Sequence, residues 1–531
     1  MKETFILYIL VIFLILLLNM GARKLRIAAP LLLVPGGLLL SWIPALSHIT
    51  IDPELIFMIF LPPLLYEAAW YISWKEMWRW RRVITVFAVL IVILTSGVVA
   101  IVSTAWIPGF TLALGFLLGG IVSPPDAVSA TSVMHLVRAP RRITNILEGE
   151  SLLNDASSLI IFRFALAAVA TGHFVVHEAF GSFLLVIVLG IGIGVGIALV
   201  YYAIHRWLPT TPDIDIVLTL TAPYVMYIAA ESLHFSGVLS VVSGSLFLST
   251  RSYQFLSHRS RLRGSNVWTT IGFVLNGLVF MLIGLELPEI VRQLGTVSLW
   301  QAIVYGIGIT AVLIVARLLC TLGSSIFTKF ISRYITTADN NPGWKGPIII
   351  GWAGMRGVVS LAAALSIPYT LPGGGDFPQR DLIIFITFVV IVLTLLVQGL
   401  TLPAIVRRLA YKDPDHELST EEQDLQIRQQ LTAFSLAWLK EHCPEKIESN
   451  PLLKQLKGRY YADSVQLAQE SHDVQEEYKY YYLKLLKKER QFLLDLNKRL
   501  ENDEEIIRKY QSILDLEQEK LLCLYEPLDP E

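Results

Sequence analysis

Charge is what this sequence has least of. Only 16% of its 531 residues are Asp, Glu, Lys or Arg, against roughly 25% in an ordinary soluble domain. Hydrophobic residues make up 54% and mean hydropathy is +0.57, so the composition excludes a soluble enzyme or a nucleic-acid-binding protein and implies an all-α polytopic membrane protein. Cysteine is nearly as scarce. Cys320 lies in an apolar run, and Cys443 and Cys523 lie far apart near the C-terminus, which leaves neither a disulfide framework nor a zinc site a suitable spacing. The apolar run "FILYILVIFLILLLNM" near the N-terminus has no small-residue cleavage site after it, and Arg23, Lys24 and Arg26 stand at its far end. It is read as a retained first span with its N-terminus outside.

The charge that is present is unevenly placed. From Lys412 onward there are 26 Asp and Glu against 17 Lys and Arg, while the preceding part holds 18 acids and 26 bases. Residues 1–411 are therefore assigned to a membrane domain and 412–531 to a helical cytoplasmic tail. In the tail, "STEEQ" offers a capping box from Ser419 to Glu422 opening a helix to about 441. Asn450-Pro451 marks another helix start, and 471–523 reads as one long, charged helix.

At about 20 apolar residues per span, thirteen transmembrane helices are expected, near 4–20, 28–44, 53–71, 82–106, 108–136, 141–171, 179–205, 213–233, 235–250, 267–288, 299–330, 346–371 and 380–409. Loop charge tests the count, because cytoplasmic loops are rich in Lys and Arg. Alternate loops carry Arg23/Lys24/Arg26, Lys75/Arg79/Arg81/Arg82, Arg138/Arg141/Arg142, Arg206, Arg251/Arg259/Arg261/Arg263, Lys329/Arg333/Lys345 and Arg407/Arg408/Lys412, while the opposite loops between spans offer Arg292 and Arg380. That asymmetry implies an odd span number, with the N-terminus out and the tail in.

The fifth span is interrupted by "SPPDAV", where Pro124 and Pro125 each remove a helix donor and open the chain around Asp126. The twelfth, "IIIGWAGMRGVVSLAAALS", gathers Gly351, Gly354 and Gly357 around Arg356. Seven spans apart implies opposite orientation, so spans 1–6 and 8–13 read as two inverted six-helix repeats, each with a broken fifth helix. Matching interruptions in inverted repeats point to a transporter's midplane ion site.

The sixth span carries charge that apolar surroundings penalise. In "EGESLLNDASSLIIFRF", Glu150 and Asn154 share one helical face while Ser151 and Asp155 share the adjoining one. Asp126 lies at comparable depth. Two carboxylates, a hydroxyl, an amide and freed backbone carbonyls are hard oxygen donors suited to a small alkali cation or a proton. Glu150 needs a cationic partner. Arg317 and Arg356 both fall at similar depth, with Arg317 favoured because its surroundings, "AVLIVARLLC", are purely apolar. Glu148 and Arg163 lie nearer the ends of the span and are assigned to the interfaces.

With Glu150 paired, Asp155 remains as the carboxylate that exchanges a proton for a cation. Carrying one or the other and crossing only when loaded, it would give electroneutral 1:1 exchange; a second acid in place of Asn154 would let two protons cross per cation. Asp126 leaves the electrogenic alternative open.

At these residues the sequence resembles the monovalent cation:proton antiporter-1 family, the bacterial sodium/proton exchangers related to animal and plant exchangers. "GESLLNDA" at 149–156 resembles the family's Asn-Asp motif and "SPPDAV" its broken-helix Asp motif; "FMIFLPPLLYEAAW" at 57–70, "AAESLHFSGVLS" and "GMRGVVSLAAALS" are similar to further segments, over roughly residues 5–412. The resemblance implies a homodimer in the plasma (inner) membrane, with spans 4–6 and 11–13 as a mobile core and spans 1–3 and 7–10 as scaffold, working by elevator-like alternating access. It also implies that Asp155 carries Na+ (or Li+ or K+) and H+ in turn, that Asp126 and Ser151 are accessory ligands, that Asn154 stabilises the site and that Glu150 pairs with Arg317. No cofactor is implied. Where many relatives have Thr before the Asp and Pro after it, this chain has Pro125 and Ala127, which removes a hydroxyl ligand and shifts the helix break.

Rival classes lack their signatures. A cation channel would need a repeated filter or a ring of like residues. An intramembrane enzyme would need a nucleophile motif, and Gly149-Glu150-Ser151 is followed by two leucines rather than completing G-x-S-x-G. His173 and His177 are placed in an outward loop. A K+-preferring antiporter remains the alternative, since oxygen ligands alone do not set the radius of the ion.

Overall fold

The computed structural model describes residues 2–25, 27–42, 58–137, 139–172, 176–294, 297–334, 339, 342–371, 375–411, 420–468, 472–497 and 504–525. Arg26, Arg138, His173, Lys412 and the expected cap Ser419 lie outside them, as does the side chain of His177. Two compact units emerge, Met1–Lys412 and Asp413–Glu531.

In the first unit the chain runs through α1 (Lys2–Leu25), α2 (Pro30–Leu40), α3 (Leu61–Tyr71) and α4 (Trp74–Trp106). It continues through α5 (Leu112–Val122), α6 (Ala127–Leu136), α7 (Arg141–Thr171), α8 (Val176–Trp207), α9 (Pro212–Ser232), α10 (Gly237–Phe255), α11 (His258–Gln293) and α12 (Leu299–Ile331). The last three are α13 (Lys345–Trp352), α14 (Val358–Leu365) and α15 (Arg380–Leu409). By length and composition, seven helices among the described residues are apolar enough to cross a bilayer: α4, α7, most of α8, α9, α11, α12 and α15. In lipid every backbone donor needs an internal partner, and hydroxyl caps supply several at helix starts. Thr111 accepts from the N–H of Leu114, Thr211 from Ile214, Ser236 from Leu239, Ser257 from Ser260 and Ser298 from Gln301.

Close helix crossings in this unit use missing side chains rather than large ones, as packing in lipid favours. A Cβ on Gly37 of α2 would fall 2.1 Å from the Met281 carbonyl of α11, and one on Gly284 would fall 2.0 Å from the Val34 carbonyl. Between α5 and α4, a Cβ on Gly115 would fall 2.6 Å from the Ala100 carbonyl, and one on Gly119 would fall 2.5 Å from that of Ser96. α4 and α15 each contain a π-helical turn, Val86–Ile91 and Thr394–Gln398.

The second unit comprises α16 (Thr420–His442), α17 (Pro444–Ser449), α18 (Pro451–Ala468), α19 (His472–Asn497) and α20 (Glu504–Tyr525). Asn450 starts α18 by accepting the N–H of Leu452 at 2.9 Å. The single helix expected over 471–523 is instead two. Arg490 of α19 pairs with Asp515 of α20 at 2.7 Å, a contact that one continuous helix would stretch to about 37 Å at 1.5 Å per residue. Leu486 of α19 and Ile507 and Leu521 of α20 are buried in this unit, which charge periodicity along the chain does not show.

Candidate functional site

The site is built where two interrupted helices meet. α5 ends at Val122 and α6 starts at Ala127; α13 ends at Trp352 and α14 starts at Val358. The two gaps are tied together, since the N–H of Asp126 donates to the Met355 carbonyl at 2.7 Å. A Cβ on Gly357 would fall 2.3 Å from Asp126 Oδ2, so the second gap presses glycine against the first gap's carboxylate.

Each loose helix end has its own partner. Asp126 caps α6: its carboxylate accepts from the N–H groups of Val128 at 3.1 Å and Ser129 at 3.4 Å, and from the Ser129 hydroxyl at 2.6 Å. The carbonyls at the end of α5 face a fully buried guanidinium. Arg356 donates through Nε to Val122 at 2.8 Å and through Nη2 to Ser123 at 3.1 Å, and Nη1 turns to Gly354 in its own gap. A cation at a helix C-terminus offsets the partial negative charge of its free carbonyls. Arg356, one of two arginines that sequence offers to Glu150, thus turns to backbone. Its own N–H donates to the Thr394 hydroxyl at 3.2 Å, so the π-helical turn of α15 holds the second gap.

Glu150 is met by the other arginine. Arg317 Nη1 lies 2.8 Å from Oε1 and Nη2 lies 2.9 Å from Oε2, with the side chains 1% and 0% exposed. Oε2 accepts a hydrogen bond from Nη2, while Oε1 is in ion-pair contact with Nη1 but has no hydrogen-bond partner among the described residues; the attraction of two buried opposite charges offsets their loss of hydration.

Asn154 clamps α7 to the first gap, donating through Nδ2 to the Pro125 carbonyl at 3.0 Å. Its Oδ1 is buried with no hydrogen-bond partner among the described residues. One residue on, Asp155 is buried and makes no hydrogen bond or ion pair among the described residues. It lies near enough to Asp126 for the two carboxylates to interact through space. Ser151 is half-buried one turn before Asp155 on the same face of α7. The structure thus brings Asp126, Asn154, Asp155 and Arg356 to one crossing, with Glu150 and Arg317 paired beside it. The side-chain oxygens at this crossing, from Asp126, Asn154 and Asp155, are hard donors.

Three polar groups were passed over in the sequence. Thr394 sits in an apolar run and its role depends on the π turn. Gln398, one turn on, is fully buried with both amide atoms unpartnered among the described residues. Glu67 of α3 stands against α11, where a Cβ on Gly272 would meet its Oε2; an acid inside an apolar span is the signal that would have found it. Arg163 pairs with Glu231 of α9 at 2.5 Å and is half-exposed.

Comparison with known proteins finds relatives of this chain. The sequence profile of the family described as "Sodium/hydrogen exchanger, transmembrane" matches residues 9–408. The chain belongs to this family. The chain is 33% identical over 389 residues to the sodium, potassium, lithium and rubidium/H+ antiporter of Bacillus pumilus, covering 71% of this chain and 57% of that protein. It is 30% identical to an uncharacterized Na+/H+ exchanger of Mycobacterium bovis over 533 residues, 96% of this chain and 94% of that one. The sodium proton antiporter of Methanocaldococcus jannaschii has a similar fold, with TM-score 0.58 at 18% identity over 78% of this chain and 100% of that one. The chain is an integral membrane protein of a transporter family.

Proposed function

We propose that the protein is a secondary active transporter that exchanges Na+, with Li+ and K+ as further candidates, for H+, and that Asp155 is the carboxylate that carries each in turn. One contrast supports this most directly: of the two acids buried in α7, Glu150 holds a guanidinium with both oxygens while Asp155 holds no donor or cation among the described residues. An ionised carboxylate without water or a counter-charge is heavily penalised. Asp155 is relieved of that penalty by a proton or by a cation, and one displaces the other.

Asp126, Ser151 and the Oδ1 of Asn154 complete the ligand set in this proposal. Asp126 is part-satisfied by its cap, so it shapes the site more than it exchanges, and one exchanging carboxylate per site gives electroneutral 1:1 stoichiometry. Glu150, Arg317 and Arg356 are structural: the first two hold α7 to α12 and the third neutralises the end of α5. Thirteen spans in two inverted repeats, an N-terminus outside, a cytoplasmic tail and a homodimer in the plasma (inner) membrane complete the proposal. Elevator-like movement of spans 4–6 and 11–13 against spans 1–3 and 7–10 is supported by where backbones touch, because the glycine-mediated contacts α2–α11 and α4–α5 fall within the two groups.

Flux into proteoliposomes tests the reading. With the purified protein reconstituted, internal pH is followed after Na+, Li+ or K+ is added outside, and the Na+ and Li+ runs are repeated under a potassium/valinomycin clamp. Cation-driven proton movement indifferent to the clamp is expected. Proton movement without cation dependence would exclude exchange, and a rate that follows voltage would exclude 1:1 stoichiometry.

A further inference from the structure

A large cavity lies away from the crossing, between the start of α4, the start of α7, the end of α12 and the start of α13. Its volume of about 1470 Å³ exceeds the roughly 300–1,000 Å³ of a small-molecule pocket. Its chemistry is two-ended. Arg79, Arg81, Arg82 and Arg142 line it against Asp339 as the one acid, and Arg142 pairs with that aspartate. Deeper along α4 the lining turns apolar, through Phe87, Leu90 and Leu94, with Phe327 of α12 opposite.

Several features single this place out from an ordinary basic membrane rim. Leu90, Leu94 and Phe327 are 50%, 47% and 61% exposed, so the apolar part is a slot left open sideways, not a packed core. Gly323 lies in the lining on α12, and a Cβ there would meet no atom within 4 Å; the helix keeps its surface low where the slot runs. At the basic end the arginines are arrayed on indoles: Arg142 lies 4.2 Å over the Trp80 ring and Arg81 lies 4.5 Å over that of Trp78. Arg142 keeps its edge on Asp339 and Arg81 donates to the Trp78 carbonyl at 2.7 Å, so stacking fixes these two guanidiniums as the charged wall of the cavity.

We propose that this cavity is a binding site for an anionic phospholipid, with the phosphodiester headgroup held by Arg79 and Arg82 and one acyl chain lying in the slot past Gly323. The occupant follows from the order of the lining. A phosphate alone has no use for an apolar slot, a neutral lipid has no use for four arginines, and only an amphiphile with an anionic head matches both ends. Basic clusters beside a membrane span attract anionic lipid heads. The walls come from spans 4, 6, 11 and 12, so the lipid would rest on the helices that also build the crossing, distinct from Asp126 and Asp155.

Native mass spectrometry of the full-length protein, titrated with dioleoyl-phosphatidylglycerol, dioleoyl-phosphatidylcholine or inorganic phosphate, tests this. Phosphatidylglycerol is expected to bind with at least one site that phosphatidylcholine and phosphate do not fill. Arg79→Gln with Arg82→Gln should weaken that site by about thirtyfold. Gly323→Trp, which fills the slot from a position with open space around it, should weaken it while leaving the arginines in place. Equal binding of the two lipids, equal binding of phosphate, or wild-type affinity in both variants would overturn the proposal. Thermal melting of each variant without lipid, unchanged from wild type, shows that a lost site is not a lost fold.

Discussion

Asn154 donates its amide to the Pro125 carbonyl at 3.0 Å and buries its own carbonyl oxygen with no protein partner among the described residues. One side chain thereby ties the sixth span to the break in the fifth and presents an unused acceptor beside Asp155. Replacing Asn154 with Ala leaves the Pro125 carbonyl bare at a cost of about 1–3 kcal/mol. The expected outcome is a lower melting temperature and a weaker apparent cation affinity in proteoliposomes. Asn154→Asp instead adds a second carboxylate, and its exchange should become sensitive to a voltage clamp that the wild type ignores.

The Glu150–Arg317 pair separates structural charge from working charge. Losing one partner leaves a buried ion uncompensated, at about 3–5 kcal/mol, so Arg317→Met and Glu150→Leu should each lower thermal stability strongly. The double replacement should recover much of that loss in a double-mutant cycle. Additive losses would show that the two residues are not coupled.

Arg356 is predicted to act through the backbone. Arg356→Lys keeps the charge but has no planar fork to serve Val122, Ser123 and Gly354 together. Cysteine accessibility at the end of α5 should rise in that variant, and exchange should slow, with no change in stoichiometry.

Gly357→Ala isolates the contact between the two gaps. The added methyl would lie 2.3 Å from Asp126 Oδ2 and 2.9 Å from its Cβ, so either the gap widens or the cap on α6 breaks. Slower exchange with a shifted order of preference among Na+, Li+ and K+ is expected; flux and selectivity equal to wild type would mean that the gaps are not in working contact.

Much of this site can be read from residue types alone. Pro124 and Pro125 forbid a continuous helix, so the first gap follows from local chemistry. Glu150 in an apolar span demands a partner, which narrows the search to two arginines. Sequence favours Arg317 for its purely apolar surroundings, and the crossing adds what sequence does not show, that Arg356 is taken up by the backbone carbonyls of Val122 and Ser123. Asp126 carries a readable signal, an acid three residues before Ser129 where a cap belongs. Thr394 and Gln398 carry none, since their contacts depend on a π-helical turn inside an unbroken apolar run. In the tail, charge pattern showed helix but not reversal, because a pair such as Arg490–Asp515 joins residues that the periodicity of one helix never brings together.

The most direct test of the account is Asp155→Asn in proteoliposomes, with internal pH recorded after addition of Na+, Li+ or K+ and with melting temperature measured in parallel. Asparagine keeps the shape and removes the exchangeable charge. A folded protein in which cation-driven proton movement is abolished for all three ions is expected. Exchange that persists in this variant would contradict it and would pass the carrier role to Asp126.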